Sequence, residues 1–487
     1  MHSKAKKPNI IWVLTDEQNT LTMSLYDDDN FKHLGVSPNL DRMAYEGVLF
    51  KQHHIQCPQC VASRAAMLTG LYPHQNGVIN NNAYFGNWPY EDTITLPEVF
   101  AQNGYEVANI GKMHYSKGKE IWGCADEHYQ YYVRNYLHHD GLRGKFRGQE
   151  EQYEILYVPE LKAKIALSGI YPEPENGDEY AEAALISKAI NWIDERKVGN
   201  RPFMLRLSIQ SPHAPFLAPR EHYNMYSDED MKDFWWDTVK ERSELPVFER
   251  RGKENPNKED TLRINRTYYG LATHVDDEIG RLDAYLKENR LYENTVLIFT
   301  SDHGHLNGEY SQYGKGQFYD LITRVPTFIK GVGVEKGKVC ERFTESVDFG
   351  VTMLHLAGLE APDQFKISGI DMLNPERERT EVIGEIILAG VRRSWIRNEK
   401  YSLDFNLMNF KGKEDIFDVC DDESERILAL DIEDSDGKLI DLENDPREVN
   451  NLFFEPNYKT VRDELVARLK ERLSERKRPI KNFKGKA

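Results

Sequence analysis

The sequence predicts an α/β fold in which helices flank a large, mostly parallel mixed sheet, followed by a smaller C-terminal antiparallel α+β subdomain. Continuous apolar runs of strand length, such as residues 9–15 and 295–300, are typical of strands buried on both faces of a parallel sheet. These runs alternate with amphipathic helical segments, whereas short strands and turns follow one another beyond residue 370. We therefore expect an α/β domain over residues 1–370 and the smaller subdomain over residues 371–487.

Apolar runs and helical periodicity locate the individual elements along the chain. Strands are predicted at residues 9–15, 48–50, 106–111, 202–209, 295–300, 325–329, 393–397 and 401–405. Helices are predicted at residues 37–44, 60–70, 95–101, 180–195, 262–289, 347–359 and 459–477. Residues 118–180 and 226–258 lack a clear period, so we interpret them as insertions over the sheet, the first of them partly helical.

The composition indicates a globular protein and argues against several classes of partner. The 487 residues carry a net charge of -17, which disfavours a nucleic-acid-binding surface, so an anionic substrate needs a local cationic pocket. Five cysteines do not make a disulfide framework, and no stretch is long enough to span a bilayer. The basic start leads into a strand, so we expect a cytoplasmic protein without a membrane partner. A chain whose signal sequence had been removed would look the same, and the oligomeric state is not determined.

Residues 57–70 combine two cysteines with an arginine at the start of a predicted helix. Cys60 and Arg64 are four residues apart, so they lie on one face of the first helical turn. Free backbone N–H groups and the helix dipole favour an anion at that point. The spacing of Cys57 and Cys60 also fits a redox motif, half of a zinc site or two buried thiols. This segment alone leaves those alternatives open.

Polar side chains follow four of the predicted strands. They are Asp16 and Glu17, Lys112 and His114, His213, and Asp302 and His303, with Lys315 a short loop further on. Each has a simpler structural interpretation, such as a helix cap for Asp16 or a solvated surface position for Lys112. However, the carboxyl ends of parallel strands lie along one edge, where open α/β sheets have their binding sites. We therefore predict that these side chains converge on one site.

The predicted site contains three kinds of group. Oxygen and imidazole ligands for a divalent cation would come from Asp16, Glu17, Asp302 and His303. Positive charge would come from Arg64, Lys112 and Lys315. Proton transfer near neutral pH would come from His114 and His213. A metal ion and three fixed cations around one nucleophile suit a tetrahedral, multiply anionic ester.

Five segments of the sequence resemble one enzyme family. Residues 60–64 read Cys-Val-Ala-Ser-Arg and match the pattern Cys-x-(Pro/Ala)-Ser-Arg, and Ala-Ala-Met-Leu-Thr-Gly-Leu-Tyr-Pro-His follows them. The other four are Gly-Lys-Met-His at 111–114, Pro-His-Ala-Pro-Phe at 212–216, Ser-Asp-His-Gly at 301–304 and Asp-Leu-Glu-Asn-Asp-Pro at 441–446. With these motifs, nearly the whole chain resembles the formylglycine-dependent sulfatases of the alkaline-phosphatase-like superfamily. The resemblance identifies Cys60 as the modified residue, because no arginine lies four residues after Cys57.

The resemblance implies a mechanism for cleaving a sulfate monoester. A maturation enzyme would oxidise Cys60 to formylglycine, which would bind the metal, and one hydroxyl of its hydrated form would attack sulfur and expel the alcohol. His114 would then deprotonate the second hydroxyl so that sulfate leaves, while Arg64 and Lys112 hold the formylglycine. His213 and Lys315 would contact the sulfate and the leaving oxygen, and one of the two would act as general acid.

Two positions depart from the family pattern and bear on the metal and the substrate. Asp16-Glu17 replaces the more frequent Asp-Asp, and Asp302-His303 replaces the more frequent Asp-Asn. Imidazole softens an otherwise hard site, so we expect Ca²⁺ with Mn²⁺ as the alternative, and Gln18 is an alternative ligand to Glu17. The aromatic insertions and the absence of a membrane-spanning stretch favour a sulfated carbohydrate or a small alcohol or aryl sulfate as substrate. By the resemblance, histidine occurs there in some sulfatases and also in the related phosphonate and phosphodiester hydrolases. Phosphonate monoester or phosphodiester hydrolysis is therefore the alternative, although the Gly-Lys-Met-His segment favours the sulfatase branch.

Overall fold

The structure is a computed structural model in which part of the chain is described. The described residues are 6–26, 34–81, 93–113, 154–157, 168–171, 180–197, 199, 201–231, 238, 258–388, 391–409 and 436–475. Most of the two predicted insertions and His114 lie outside these residues. Among the helices in the described ranges, none is both long enough and apolar enough to cross a membrane.

Strands and helices are interspersed through the first two thirds of the chain. The described strands are β1 Asn9–Thr15, β2 Gly47–His54, β3 Glu106–Gly111, β4 Glu154–Tyr157, β5 Ser168–Tyr171, β6 Phe203–Ser208, β7 Phe216–Pro219, β8 Thr295–Ser301, β9 Leu306–Asn307, β10 Tyr313–Gly314, β11 Phe328–Gly331, β12 Lys338–Glu345, β13 Val382–Leu388, β14 Val391–Arg397, β15 Tyr401–Asn409 and β16 Gly437–Asp441. The described α-helices are α1 Pro38–Tyr45, α2 Cys60–Thr69, α3 Pro73–Asn76, α4 Leu96–Gln102, α5 Ala181–Asp194, α6 Arg220–Asn224, α7 Lys258–Glu288, α8 Asp320–Thr323, α9 Phe349–Leu356, α10 Asp363–Lys366 and α11 Lys459–Glu475.

A seven-stranded sheet forms the centre of the fold, in the order β12–β2–β11–β8–β1–β6–β3. All of its neighbouring pairs are parallel except the two that β11 makes with β2 and β8. The predicted mostly parallel mixed sheet is therefore confirmed.

Helices cover both faces of this sheet, which is why its central strands are apolar on both sides. In β1, Ile10, Trp12 and Leu14 point into a core that also contains side chains of α2, α4 and α9. Ile11 and Val13 point into the opposite core, with side chains of α1, α5 and α7. All five are fully buried, and burying each contributes roughly 1.5–3 kcal/mol.

The last part of the chain forms the predicted smaller antiparallel α+β unit. Strands β13–β14–β15–β16 make a four-stranded antiparallel sheet, and Leu469 of α11 packs against it with Leu403 and Phe405. Tyr72, which follows α2, belongs to the same core, so the small sheet packs directly against the first unit. The boundary at residue 370 stays a prediction.

The structure differs from the predicted elements in several places, and the edge strand β12 of the central sheet was not predicted. Strand β2 is longer than residues 48–50, and β11 begins at Phe328 because Pro326, which has no N–H, is not suited to a central strand. In the predicted insertion 118–180, the described elements are β4 and β5, which pair with each other, and β5 also pairs with β7. The described part of that insertion is therefore extended where we expected partial helix, because four-residue strands are too short to give a clear period.

Candidate active site

Four of the predicted site residues lie along one edge of the central sheet. Asp16 follows β1, Lys112 follows β3, Asp302 follows β8 and His213 lies in the loop after β6. These strands are parallel neighbours in the order β8–β1–β6–β3, so their carboxyl ends meet at the same edge. The structure therefore brings these four residues together, as their positions after strands predicted.

Helix α2 brings Cys60, its first residue, to the same edge. Gln59 precedes the helix in an extended conformation without capping it, and the Asn81 side chain instead accepts a hydrogen bond from the Val61 N–H at 3.0 Å. A residue from a later loop therefore satisfies one of the free donors at the helix start. The helix ends at Gly70, whose φ of 65° is the left-handed conformation that glycine favours.

Arg64 joins the ends of four strands through its guanidinium group. Its Nη2 is 2.8 Å from Asp16 Oδ2, and its Nε is 2.7 Å from Asp302 Oδ2. Its Nη1 donates to the Ser208 hydroxyl at 2.7 Å and to the Lys112 carbonyl at 3.2 Å. The side chain is fully buried, and a buried charge is tolerated when it is paired and hydrogen-bonded in this way. Arg64 therefore fixes the positions of both carboxylates.

The atoms around Cys60 form a possible metal-binding set. Asp16 Oδ1 lies 3.8 Å from Cys60 Sγ, and His303 Nε2 lies 3.2 Å from the same sulfur. The other ring nitrogen of His303, Nδ1, is 2.8 Å from the Gly304 carbonyl oxygen, so the backbone orients the ring with Nε2 toward the site. One ligand atom from each of Asp16, Cys60, Asp302 and His303 lies within 4.8 Å of the others. Two carboxylates and one imidazole are donors that fit a divalent cation.

Two lysines complete the surroundings of Cys60. Lys315 Nζ lies 2.8 Å from Sγ and pairs with Glu17, whereas Lys112 Nζ lies 3.9 Å from Sγ and pairs with Asp16. Burial and the charge of Asp16 by themselves raise the pKa of the Cys60 thiol, but the nearby cations outweigh them and lower that pKa well below its usual value. This position therefore favours a negatively charged atom.

Glu17 is a buried carboxylate with an unusual backbone. Its φ of 66° is uncommon for a residue other than glycine, and the Tyr268 hydroxyl donates to its carbonyl oxygen at 2.7 Å. Its carboxylate pairs with Lys315, lies 3.1 Å from His213 Nε2 and lies 2.6 Å from His305 Nδ1. Burial alone raises the pKa of Glu17, but these neighbours outweigh burial and hold that pKa well below its usual value.

Glu17 and Gln18 both stay candidate ligands. Gln18 Nε2 donates to the Thr22 hydroxyl at 2.9 Å, and Gln18 Oε1 is buried without a hydrogen-bond partner among the described residues. The carboxylate of Glu17 forms a second set of possible ligand atoms with Asp16 and His213, all within 4.8 Å of one another. His114 lies outside the described residues, so its predicted role stays a prediction.

His305 and Tyr268 contact the site but were missed by the sequence prediction. The His305 ring is buried edge-on against Phe216, with ring centroids 5.3 Å apart, and stacks on Tyr268. His305 follows His303 by two residues in the same loop after β8. Its position shortly after a strand could therefore have identified it as a site residue. Tyr268 lies within α7 among core side chains, and nothing in the sequence separates it from them.

Two family models match the chain, and together they cover most of it. The model described as Sulfatase matches residues 8–359, and the model described as N-sulphoglucosamine sulphohydrolase, C-terminal, matches residues 308–476. An arylsulfatase of Clostridium perfringens is 28% identical over 486 residues, which cover 93% of this chain and 92% of that protein. An N-acetylglucosamine-6-O-sulfatase of Bacteroides thetaiotaomicron is 24% identical, with 96% and 86% covered.

Solved structures share the fold over nearly the full length. A phosphonate monoester hydrolase of Agrobacterium radiobacter has a TM-score of 0.70 and 21% identity, with 96% of each chain covered. The structure of BT4656 in complex with its substrate D-glucosamine-2-N,6-O-disulfate has a TM-score of 0.67 and 22% identity, with 96% of this chain and 97% of that chain covered. The match of the Sulfatase model to well over half of the residues confirms the predicted family. The chain therefore belongs to the sulfatase family of the alkaline-phosphatase-like superfamily and is a sulfuric ester hydrolase.

Proposed function

We propose that this sulfatase cleaves a sulfate monoester on a saccharide, using Cys60 converted to formylglycine and a divalent cation. The observation that carries the proposal is the set of groups around Cys60 Sγ, with His303 Nε2 at 3.2 Å, Lys315 Nζ at 2.8 Å and the Arg64-bound carboxylates beside them. The saccharide is supported by a relative that is an N-acetylglucosamine-6-O-sulfatase and by the N-sulphoglucosamine sulphohydrolase model over the C-terminal part.

Asp16, Asp302 and His303 would hold the cation together with residue 60, and Glu17 is a further candidate ligand. When bound, a divalent cation there offsets the negative charge of the sulfate and of the attacking oxygen. Arg64 pairs with the Oδ2 atoms of Asp16 and Asp302, so the Oδ1 atoms of the two aspartates are the ones that would bind the cation. Because carboxylate oxygens predominate, we propose Ca²⁺, with Mn²⁺ as the alternative that an imidazole ligand permits.

The Cys60 sulfur marks the position that the oxygens of formylglycine would take after conversion by a maturation enzyme. Formylglycine supplies a hydrated aldehyde, with one hydroxyl for attack on sulfur and a second whose deprotonation releases sulfate. Lys315 and Lys112 lie 2.8 and 3.9 Å from this position, where their charges would stabilise an attacking oxygen. His114 is proposed as the base that takes the proton of the second hydroxyl.

His213 and Lys315 are assigned different parts in releasing the alcohol. Burial alone lowers the pKa of Lys315, but the negative charges of Cys60 and Glu17 outweigh it and raise that pKa above its usual value, so the amine keeps its proton. His213 Nδ1 lies against its neighbouring Ala214 carbonyl, and Nε2 faces the carboxylates of the site. We therefore propose that His213 Nε2 protonates the leaving oxygen and that Lys315 stabilises charge on the sulfate.

A second candidate is hydrolysis of a phosphonate monoester or phosphodiester at the same centre. The resemblance implies histidine at the position of His303 in those hydrolases as well as in some sulfatases, and a phosphonate monoester hydrolase shares the fold. Turnover of 4-nitrophenyl sulfate and of 4-nitrophenyl phenylphosphonate by one preparation separates the two functions. We expect the sulfate to react faster, and a much faster phosphonate reaction would make the second candidate the function.

The cysteine pair provides a matched test of the nucleophile. In protein produced together with a maturation enzyme, mass spectrometry of the peptide that contains Cys60 should show the aldehyde. Cys60→Ala should abolish turnover, whereas Cys57→Ala should keep most of it, because the Cys57 sulfur lies near the Ile79 carbonyl and not among the site cations. Full activity with an unconverted Cys60 thiol would contradict the mechanism, and loss of turnover only in Cys57→Ala would mean that the wrong cysteine was chosen.

A further inference from the structure

The loop that carries His213 connects β6 to β7. Its start is tied to the sheet by the Ile209 N–H, which donates to the Leu14 carbonyl at 2.8 Å. The His213 N–H closes a turn onto the Gln210 carbonyl at 3.0 Å, and prolines before and after His213 lack the N–H that would give the loop further backbone hydrogen bonds. Side-chain contacts therefore have a large part in determining where His213 lies.

Ser211 makes such a contact with a helix on the face of the sheet. Its hydroxyl donates to Glu182 Oε1, and Glu182 lies in the first turn of α5. Ser211 is 7% exposed, so the hydrogen bond is shielded from water. A carboxylate in the first turn of a helix is also favoured by the helix dipole, which holds the acceptor in place. The loop is therefore attached to α5 two residues before His213.

The second oxygen of Glu182 continues the contact toward α7. Glu182 Oε2 lies 3.6 Å from His274 Nε2, and the His274 ring packs edge-on against His222 with centroids 4.9 Å apart. His222 Nε2 lies 3.1 Å from Asp277 Oδ2, and the Asp277 side chain is half-exposed. This row of polar groups leads from the His213 loop to the protein surface. The proposed chemistry makes no use of it.

We propose that Ser211 and Glu182 are positioning residues that hold His213 in the geometry for protonating the leaving oxygen. The proposal rests on the proposed function, specifically on the role of His213. Glu182 holds two elements at once, because one oxygen binds the His213 loop and the other faces His274 of α7. A shift of about 1 Å in a reacting group can cost 10²-fold in rate, so a single hydroxyl contact at the base of the loop is enough to affect turnover.

The dependence of the rate on the leaving group distinguishes positioning from a purely structural role. A weakly basic leaving group such as 4-nitrophenolate departs with little help from an acid, whereas the more basic phenolate needs the proton. Loss of His213 alignment should therefore slow phenyl sulfate much more than 4-nitrophenyl sulfate. General destabilisation of the fold lowers the amount of active enzyme and slows both substrates equally.

The experiment measures kcat and KM for both aryl sulfates with Ser211→Ala and Glu182→Gln. We expect kcat for phenyl sulfate to fall about tenfold or more in Ser211→Ala, with less than about threefold loss for 4-nitrophenyl sulfate and little change in KM. Glu182→Gln keeps a hydrogen-bond acceptor for Ser211, so its kcat for phenyl sulfate should lie between the values of Ser211→Ala and of the unmodified enzyme. Asp277→Asn is the matched control at the surface end of the same row, and we expect both rates to stay unchanged.

His213→Ala, assayed with the same substrates, separates failure of this inference from failure of the proposed function. If His213→Ala slows both substrates equally, His213 is not the acid, and the proposed function needs another donor. If His213→Ala shows the leaving-group dependence and Ser211→Ala does not, the positioning role is wrong. Equal losses for both substrates in Ser211→Ala, together with a lower melting temperature, would also overturn it.

Discussion

At the scale of single residues, the site is organised by charge pairing in a dry environment. Arg64 binds one oxygen of Asp16 and one of Asp302, and its third nitrogen binds Ser208 and the Lys112 carbonyl. Burial alone raises the pKa of Asp16, but the neighbouring cations outweigh burial and hold that pKa well below its usual value. The sequence predicted Arg64 as a holder of residue 60, which stays a prediction, whereas the structure shows contacts of Arg64 to both carboxylates.

Arg64→Lys should therefore lose both activity and stability. A lysine cannot reproduce the fork that reaches two carboxylates at once, so one buried charge is left without its partner. We expect kcat/KM for 4-nitrophenyl sulfate to fall by about 10²–10³ and the free energy of unfolding to fall by about 3–5 kcal/mol in urea titrations. Arg263→Lys, at a partly exposed arginine paired with Glu259 and Asp260 of its own helix, is the control and should change neither quantity appreciably. Activity within a few-fold of the unmodified enzyme would contradict the role given to Arg64.

At the scale of elements, the ends of α2 determine where Cys60 and Arg64 lie. Its start is capped by Asn81 from a later loop, and its end turns at Gly70. A Cβ atom added at Gly70 would lie 2.5 Å from the Phe365 ring, so both the backbone and the packing require glycine. The helix is therefore fixed at its far end by packing against α10.

Gly70→Ala should destabilise the protein more than the same change at Gly358. Both glycines follow helices and share a φ of 65°, so each substitution costs about 1–2 kcal/mol from the backbone. At Gly358 no atom of a described residue lies within 4 Å of an added Cβ. At Gly70 the new Cβ must displace the Phe365 ring, which adds about 1–3 kcal/mol to the loss of unfolding free energy. Urea unfolding of the two variants measures the difference. Equal losses would show that the Phe365 contact has no energetic effect.

At the scale of the whole molecule, contacts of the buried Glu385 join the small antiparallel sheet to the part of the chain that carries Cys60. Glu385 of β13 accepts the His74 N–H at 2.8 Å, also contacts its ring, and lies 2.8 Å from Arg392 Nη2. Its own N–H donates to the Gln56 carbonyl at 2.9 Å, four residues before Cys60. Burial alone raises the pKa of Glu385, but His74 and Arg392 outweigh burial and lower that pKa to about 2.

This lowered pKa predicts a pH-dependent contribution to stability. Because the folded pKa lies below the ordinary value, the ionised Glu385 stabilises the fold above about pH 4.5, and this stabilisation is lost as the pH falls toward 2. The difference in unfolding free energy between the unmodified protein and Glu385→Gln should reach about 3 kcal/mol at pH 6 and shrink at pH 3. Glu399→Gln, at an exposed position, is the control and should show no such change. A difference that is independent of pH would contradict the assignment.

The sequence by itself determined the fold class, the buried central strands and the family. Long apolar runs and a specific Cys-x-(Pro/Ala)-Ser-Arg motif are local signals. A position directly after a strand also indicates the edge of the sheet at which a side chain lies. The fold class, the family and the convergence of the described strand-end residues were therefore predictable. Short strands such as β4 and β5 were not, because four residues give too little pattern.

Only the tertiary structure decided which atoms face one another. That Arg64 spans both aspartates, that His305 and Tyr268 hold Glu17, and that Ser211 ties the His213 loop to Glu182 all depend on contacts between distant parts of the chain. These pairings follow from how the helices pack on the sheet and from the requirement that each buried charge find a partner. The spacing of residues in the sequence indicates neither the packing of the helices nor the pairing of the buried charges. The site residues were therefore predictable, but their contacts were not.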